Sequence, residues 1–359
     1  MSATYLQVEP LATFMQDRHE VYLKRKAGKP GPWTKDPVLR EGRFCNIFRE
    51  LDTVTIWIEE NIRKPYAHHP HLWFMLAIAR YINWPPTLQR LISLAEVDNI
   101  PTWPSHPKFD LGERYIHTEP GGFTASSLTW ALHQIAKEGK TYTGAYMIRA
   151  ESNKKAVWYS WSKHKYLAEI VLGRLWEDRH EWKDFFEGEW GQCGGKLGEV
   201  DQCEYCREED YCLIQRTARE TWDRFQNPRY IGWGPFMAYE VVTDLRHTRY
   251  LRNAPDLYTW ANAGPGAIRG LNRLFLRGIR QHPPKDHTND EMFDLMCKLN
   301  DLDLPEFNRV FGAPDDVNPR FEMRDIEHSL CEYDKYQRVT RGEGKMRSKY
   351  NWKLARNIT

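Results

Sequence analysis

The chain has 359 residues, 41% of them apolar, which is enough to build a substantial core and excludes a disordered or fibrous class. Its 51 Lys and Arg against 49 Asp and Glu leave a formal net charge of +2, so bulk basicity is excluded as a basis for nucleic-acid binding and only local charge placement is left to supply it. The opening "MSATYLQVEPLATF" has neither a basic nor an apolar leader region, and the longest uninterrupted apolar run, "LWFMLAIA", is too short to span a bilayer. A soluble, cytoplasmic protein with no membrane partner is therefore expected. Seven cysteines at irregular positions do not suit a disulfide framework and are expected to stay reduced.

In chain order, apolar residues recur at three- and four-residue intervals in "IFRELDTVTIWIEENI", "HLWFMLAIARYI", "TLQRLISLAEV", "TASSLTWALHQIAK" and "YLAEIVLGRLWEDRHEWKDFF". Alternating strand patterns are scarce. The reading is an all-α protein, with one short hairpin expected near "KTYTGAYMIRAES" and "AVWYSW". Pro and Gly clusters mark loops at 28–37, 101–122, 188–199 and 282–290, and there is no internal repeat. A single helical domain over 1–359 is expected, with a Cys-rich insertion at 188–213 whose start, near residue 190, is the best boundary candidate.

Charge is placed unevenly. The stretch "LKRKAGKPGPWTKDP" reads as a solvated linker. Residues 335–359 carry Lys335, Arg338, Arg341, Lys345, Arg347, Lys349, Lys353 and Arg356 against the single acid Glu343, with Tyr336, Tyr350 and Trp352 interleaved. That tail is expected to grip DNA phosphates, the plain alternative being a solvated chain end.

The segment "CGGKLGEVDQCEYCREEDYC" sets Cys193, Cys203, Cys206 and Cys212 in a C-x9-C-x2-C-x5-C spacing. Four closely spaced thiolates suit a tetrahedral Zn2+ or a [4Fe-4S] cluster, and spacing does not separate the two. With no open coordination position, such a centre would be structural.

Gly232 and Gly234 in "YIGWGPFMAYEVVTDL" permit close backbone approach just ahead of a helix, whose free amides suit a phosphate. The stretch "IGWGPFMAYEVV" is similar to the helix-hairpin-helix of the DNA glycosylase superfamily. That resemblance implies a catalytic aspartate roughly two dozen residues beyond the first glycine, where Asp256 of "NAPDLYTW" stands. The lysine nucleophile of the lyase-type members has no counterpart, because Ala238 occupies its place, and the cysteines precede the hairpin where those members carry theirs after the aspartate.

A broader resemblance rests on four motifs in order: "PWTKDPVLREGRFCNIFRELDTVTIWI", "WGPFMAYEVVTDLRHT", "WANAGPGAIRGLNRL" and "DIEHSLCEYDKYQR". Together they resemble the alpha-glutamyl/putrescinyl thymine pyrophosphorylase family of bacteriophages, the amino acid:DNA transferases. The resemblance implies a glycosylase-like helical fold, an upstream kinase that pyrophosphorylates 5-hydroxymethyluracil in double-stranded DNA, and displacement of that pyrophosphate by an amine such as glycine, glutamate or putrescine. Such chemistry needs cations for the departing charge, a base for the ammonium nucleophile and a pocket for an extruded base.

The residues supply candidates for each. In "RFCNIFRELD", Arg43 and Arg49 are candidate pyrophosphate clamps, with Asn46, Glu50 and Asp52 beside them and 46, 49 and 50 expected on one helical face. Asp244 follows a run expected to be buried and so needs a partner, for which Arg246 and His247 are nearest. In "NAGPGAIRGLNRL", Asn262, Gly264, Gly266, Arg269 and Arg273 are expected to form a phosphate-binding turn into a helix. Glu327 and Asp334 share a helical face with Lys335 adjacent, a carboxylate pair that would suit Mg2+ on pyrophosphate. Asp256 is the preferred base, with Glu50, Asp244 and Asp52 as alternatives. Two other classes compete: a monofunctional glycosylase using Asp256, and a noncatalytic DNA-binding module.

Overall fold

The computed structural model describes residues 6–104, 122–144, 148, 155–158, 160–187, 215–281, 285–302, 307, 321–346 and 348–351. Their regular structure is helical, joined by turns and irregular segments. Among the described residues the one extended pairing is an isolated antiparallel bridge between Gly42 and Lys349, so the all-α reading holds. Of the hairpin expected near 140–152 and 156–161, the described residues form turns and no strand, and the cysteine loop falls wholly outside the described residues. The chain forms two compact units, one from Met1–Asp52 with Asp256–Thr359, the other from the intervening Thr53–Pro255.

The discontinuous unit starts with helix α1, Glu9–Lys26, and a short α2, Pro37–Glu41, whose first amides bond the Asp36 carboxylate. The intervening unit begins with α3, Thr53–Ile58, which runs on as a π-helical turn over Glu59–Arg63. Its centre is α4, Leu72–Ile82, all eleven of whose residues are buried. A helix apolar on nearly every face belongs inside a domain, and among the described residues no helix is long and apolar enough to cross a membrane. Against α4 lie α5 (Pro85–Glu96) and a helical run over 163–187 that includes a π-helical stretch, Tyr166–Leu172, and α6 (Ala125–Glu138) packs on both of these. Stacked indoles of Trp73 and Trp182, 4.8 Å apart between centroids, anchor the aromatic core.

The same unit contains the expected pair of helices around the glycine hairpin: Ala218–Phe225, opened by a Thr217/Glu220 capping box, and Pro235–Leu245, capped by Gly234. Gly232 has φ of 93°, and a Cβ there would lie 2.8 Å from Val171 Cγ2, so the turn needs glycine for conformation and for space. The Tyr81 hydroxyl donates to the Gly232 carbonyl at 2.5 Å, and the Trp233 indole N–H donates to Val171 O at 2.9 Å.

The discontinuous unit has three further helices, Pro265–Leu274, Lys285–Asn300 and Met323–Thr340, the last of which packs against the other two and against α1. For brevity they are the glycine helix, the linking helix and the long helix. The expected loop at 282–290 is cut short, because the linking helix starts at Lys285. The glycine helix lies on the long helix: a Cβ on Gly266 would sit 2.4 Å from Cys331 Sγ, and one on Gly270 2.2 Å from the Leu330 carbonyl oxygen. Phe14 of α1 meets Tyr333 and Tyr336 at 5.8 and 5.2 Å between ring centroids.

Candidate functional site

The richest set of ionisable groups lies in the discontinuous unit, where the segment 43–52 faces one side of the long helix. This segment was expected to be helical and is not. Residues 43–48 are irregular and Arg49–Leu51 form a single 3-10 turn. The Asn46 backbone N–H donates to Asp52 Oδ1 at 2.9 Å and the Asn46 amide to Leu51 O at 2.7 Å, local bonds that offer the backbone an alternative to a helix. From α1, Arg18 donates to Asn46 Oδ1 at 2.7 Å and to Phe44 O at 3.0 Å. Asn46, Arg49, Glu50 and Asp52 are thus brought together by a braced loop, while Arg43 is exposed and donates to Lys349 O at 3.0 Å.

The long helix meets this loop with residues at helical spacing. Arg324 donates to Glu50 Oε1 at 2.6 Å and to Glu322 Oε2 at 2.9 Å. His328 lies with Cys45 and Asp52, the three ligand-type atoms all within 4.8 Å of one another. Glu332 Oε2 accepts the Cys45 backbone N–H at 3.1 Å and is held by Lys335 at 2.8 Å, whose ammonium stands 4.7 Å from the Phe44 ring centroid. The other Glu50 oxygen, Oε2, is buried and meets no hydrogen-bond donor among the described residues.

Burial dominates the electrostatics. It pushes the Asp325 carboxyl up to about 8, with Arg324 opposing and the Glu50 and Glu322 charges adding to the rise. Burial works against the Arg324 charge, but Glu50, Asp325 and Glu322 more than offset it and hold that guanidinium firmly protonated. Burial also raises Asp52, against the Asn46 N–H and the Arg49 and Arg18 charges, and raises the Cys45 thiol well above its ordinary range. Burial thus raises both Asp325 and Asp52, and carboxyls shifted in this way are found at functional sites as well as in structural ion-pair networks.

The remaining expected residues have definite places. Asp334 is buried, and its two oxygens accept from Arg269 at 2.8 Å and Arg273 at 2.9 Å, with Arg273 also on Glu343 at 2.5 Å. Glu327 Oε1 accepts the Gly264 N–H at 3.4 Å, and Asn262 lies in the loop that leads to this cap. Gly264 caps the glycine helix, while Gly266 and Gly270 serve close helix packing. Asp256 is half-buried, and its carbonyl accepts the Thr259 and Trp260 N–H groups. Arg338 is half-buried and Lys345 exposed, and the chain beyond them is tied down where Tyr350 N–H donates to Glu41 O at 2.7 Å. Arg347, Cys193, Cys203, Cys206 and Cys212 lie outside the described residues.

In the intervening unit, Asp244 has the partner its burial demands, but it comes from α4. Arg80 Nη2 donates to Asp244 Oδ1 at 2.6 Å, Arg80 Nε bonds the other oxygen, and both side chains are almost fully buried. Arg246 and His247, which the sequence offered as its partners, follow directly after Leu245 at the helix end. Sequence reasoning missed Arg18, Cys45, Arg324, Asp325, His328 and Glu332. The spacing of 324, 328, 332 and 335 in the long helix was the available signal.

The family comparison matches residues 7–346 to the family described as 5-hmdU DNA kinase, helical domain, and the chain belongs to that family. No curated protein matches the chain, and no solved structure matches it. The family ties the chain to modification of 5-hydroxymethyldeoxyuridine in DNA, the base that the sequence motifs also indicated. It names the domain of the kinase, whereas those motifs resembled the transferase that follows it.

Proposed function

We propose that the chain acts on DNA carrying pyrophosphorylated 5-hydroxymethyluracil and transfers an amine or amino acid to the 5-methylene carbon. The observation that supports this most directly is Glu50, with one oxygen fixed by Arg324 at 2.6 Å and the other without a donor among the described residues. In the reaction a C–N bond forms and a C–O bond breaks, the electron pair leaving on pyrophosphate while the attacking nitrogen gives up a proton. That second Glu50 oxygen is suited to take the proton. Arg49 and Arg269 are the proposed clamps for the departing charge, and a kinase acting earlier supplies the substrate.

The family description favours a second reading, in which the chain is the helical part of a machine that phosphorylates the hydroxymethyl group. Glu50 would then take the hydroxyl proton. The chain has no Gly-x4-Gly-Lys-Ser/Thr phosphate loop, so a phosphate donor would be held by other means.

Nucleoside mass spectrometry distinguishes the readings. Pyrophosphorylated DNA with a mixture of amines should yield an aminomethyl nucleoside and free pyrophosphate, and Glu50→Gln should lower that turnover ~100-fold. Phosphorylated nucleoside formed from hydroxymethyluracil DNA and ATP would establish the kinase reading instead. Free base with an abasic site would indicate a glycosylase, and unchanged DNA a binding module.

A further inference from the structure

We propose that Cys45, Asp52 and His328 form a three-ligand site for a divalent metal of the zinc class, whichever reaction the chain serves. A thiolate, a carboxylate and an imidazole nitrogen all lie within 4.8 Å of one another, so a point exists within about 2.8 Å of all three. Zinc bonds to these ligand types are ~2.0–2.3 Å long, so a contraction of well under 1 Å at each side chain closes the site.

The ligands stand on braced backbone. The Asn46 N–H holds Asp52 Oδ1 at 2.9 Å, which fixes the carboxylate's orientation, and Asn46 is itself fixed by Arg18 at 2.7 Å. The Cys45 main chain is tied to Glu332 at 3.1 Å, one turn along the long helix from His328. Partners of this kind orient first ligands and are what a loose group of ionisable residues lacks.

The donor set is also selective. Sulfur and imidazole nitrogen favour Zn2+, Co2+ or Fe2+ over Mg2+ or Ca2+, which prefer all-oxygen sites. Three protein ligands leave a fourth position for water or a substrate oxygen, so this centre differs in kind from a closed four-cysteine centre.

The test uses the full chain, freed of metal by a chelator and titrated with Co2+ while absorbance and equilibrium dialysis are followed. Wild-type protein should bind one equivalent more than Cys45→Ser, Asp52→Asn or His328→Gln, and Cys45→Ser should lose a thiolate-to-cobalt charge-transfer band that Zn2+ bleaches in the wild type. Counting the difference keeps the result independent of metal held at Cys193 to Cys212. Should Cys45→Ser lose its circular dichroism, His328→Cys decides, because a second thiolate should strengthen and shift the same band. Equal stoichiometry and identical spectra in wild type and folded variants, or an unaltered band in His328→Cys, would overturn the proposal.

Discussion

Asp325 shows how a single side chain can set a pH response. Its carboxyl titrates near 8 in the folded chain against 3.8 as a free group, burial being the main cause. The folded state thus prefers the protonated form. The stability from that preference is fully present below about 4 and is lost as pH rises through about 8. The melting temperature of the wild type should fall across that window, and Asp325→Asn should flatten the slope; an identical slope in both would remove the assignment. Arg80 and Asp244 make a different case, a buried ion pair. Replacing Arg80 by Met strands a buried carboxylate and should cost about 3–5 kcal/mol in urea unfolding, while a paired Arg80→Met, Asp244→Leu change should recover much of it. That Asp244 needed a partner was legible from its apolar neighbours. That the partner would be Arg80, 164 residues earlier, was not, because no local pattern encodes which helices become neighbours.

At the scale of elements, periodicity located the helices it was suited to locate. "HLWFMLAIARYI" and "TASSLTWALHQIAK" correspond to Leu72–Ile82 and Ala125–Glu138 almost residue for residue. It failed over 43–52, where Asn46 and Asp52 use their side chains to satisfy the backbone and override the apolar spacing. The linking helix was missed because Pro283, Pro284 and polar residues at its start resemble a loop. The glycines of the third motif were read as a phosphate turn, whereas their spacing also permits two helices to approach closely. Gly270→Ala tests this directly: its methyl would meet the Leu330 carbonyl oxygen at 2.2 Å, and stability should fall by about 2 kcal/mol or more. A thermal melt unchanged by this substitution would show that the helices move apart freely. The same change at Gly234, where nothing lies within 4 Å of a Cβ, should be mild.

For the whole molecule, the division after Asp52 and Pro255 coincides with no run of linker-like composition, which is why the sequence does not mark it. Thr53–Pro255 is continuous and has its own buried helix and aromatic core, so a fragment of those residues should unfold cooperatively in a calorimeter. A broad, uncooperative transition would count against its autonomy. The other unit joins the two ends of the chain, with Phe14 against Tyr333 and the Gln7 N–H on Leu274 O at 3.0 Å. On a ribosome this imposes a wait. Between emergence of residue 52 and of the long helix, about 270 residues must be made, which at ~5–20 residues per second takes roughly 15–50 s. Throughout that interval Leu11, Phe14 and Met15 have no core to enter, while the intervening unit can already fold. The segment from α1 to Asp52 is therefore exposed to chaperones until the long helix emerges, and the loop that carries Cys45, Glu50 and Asp52 is assembled late.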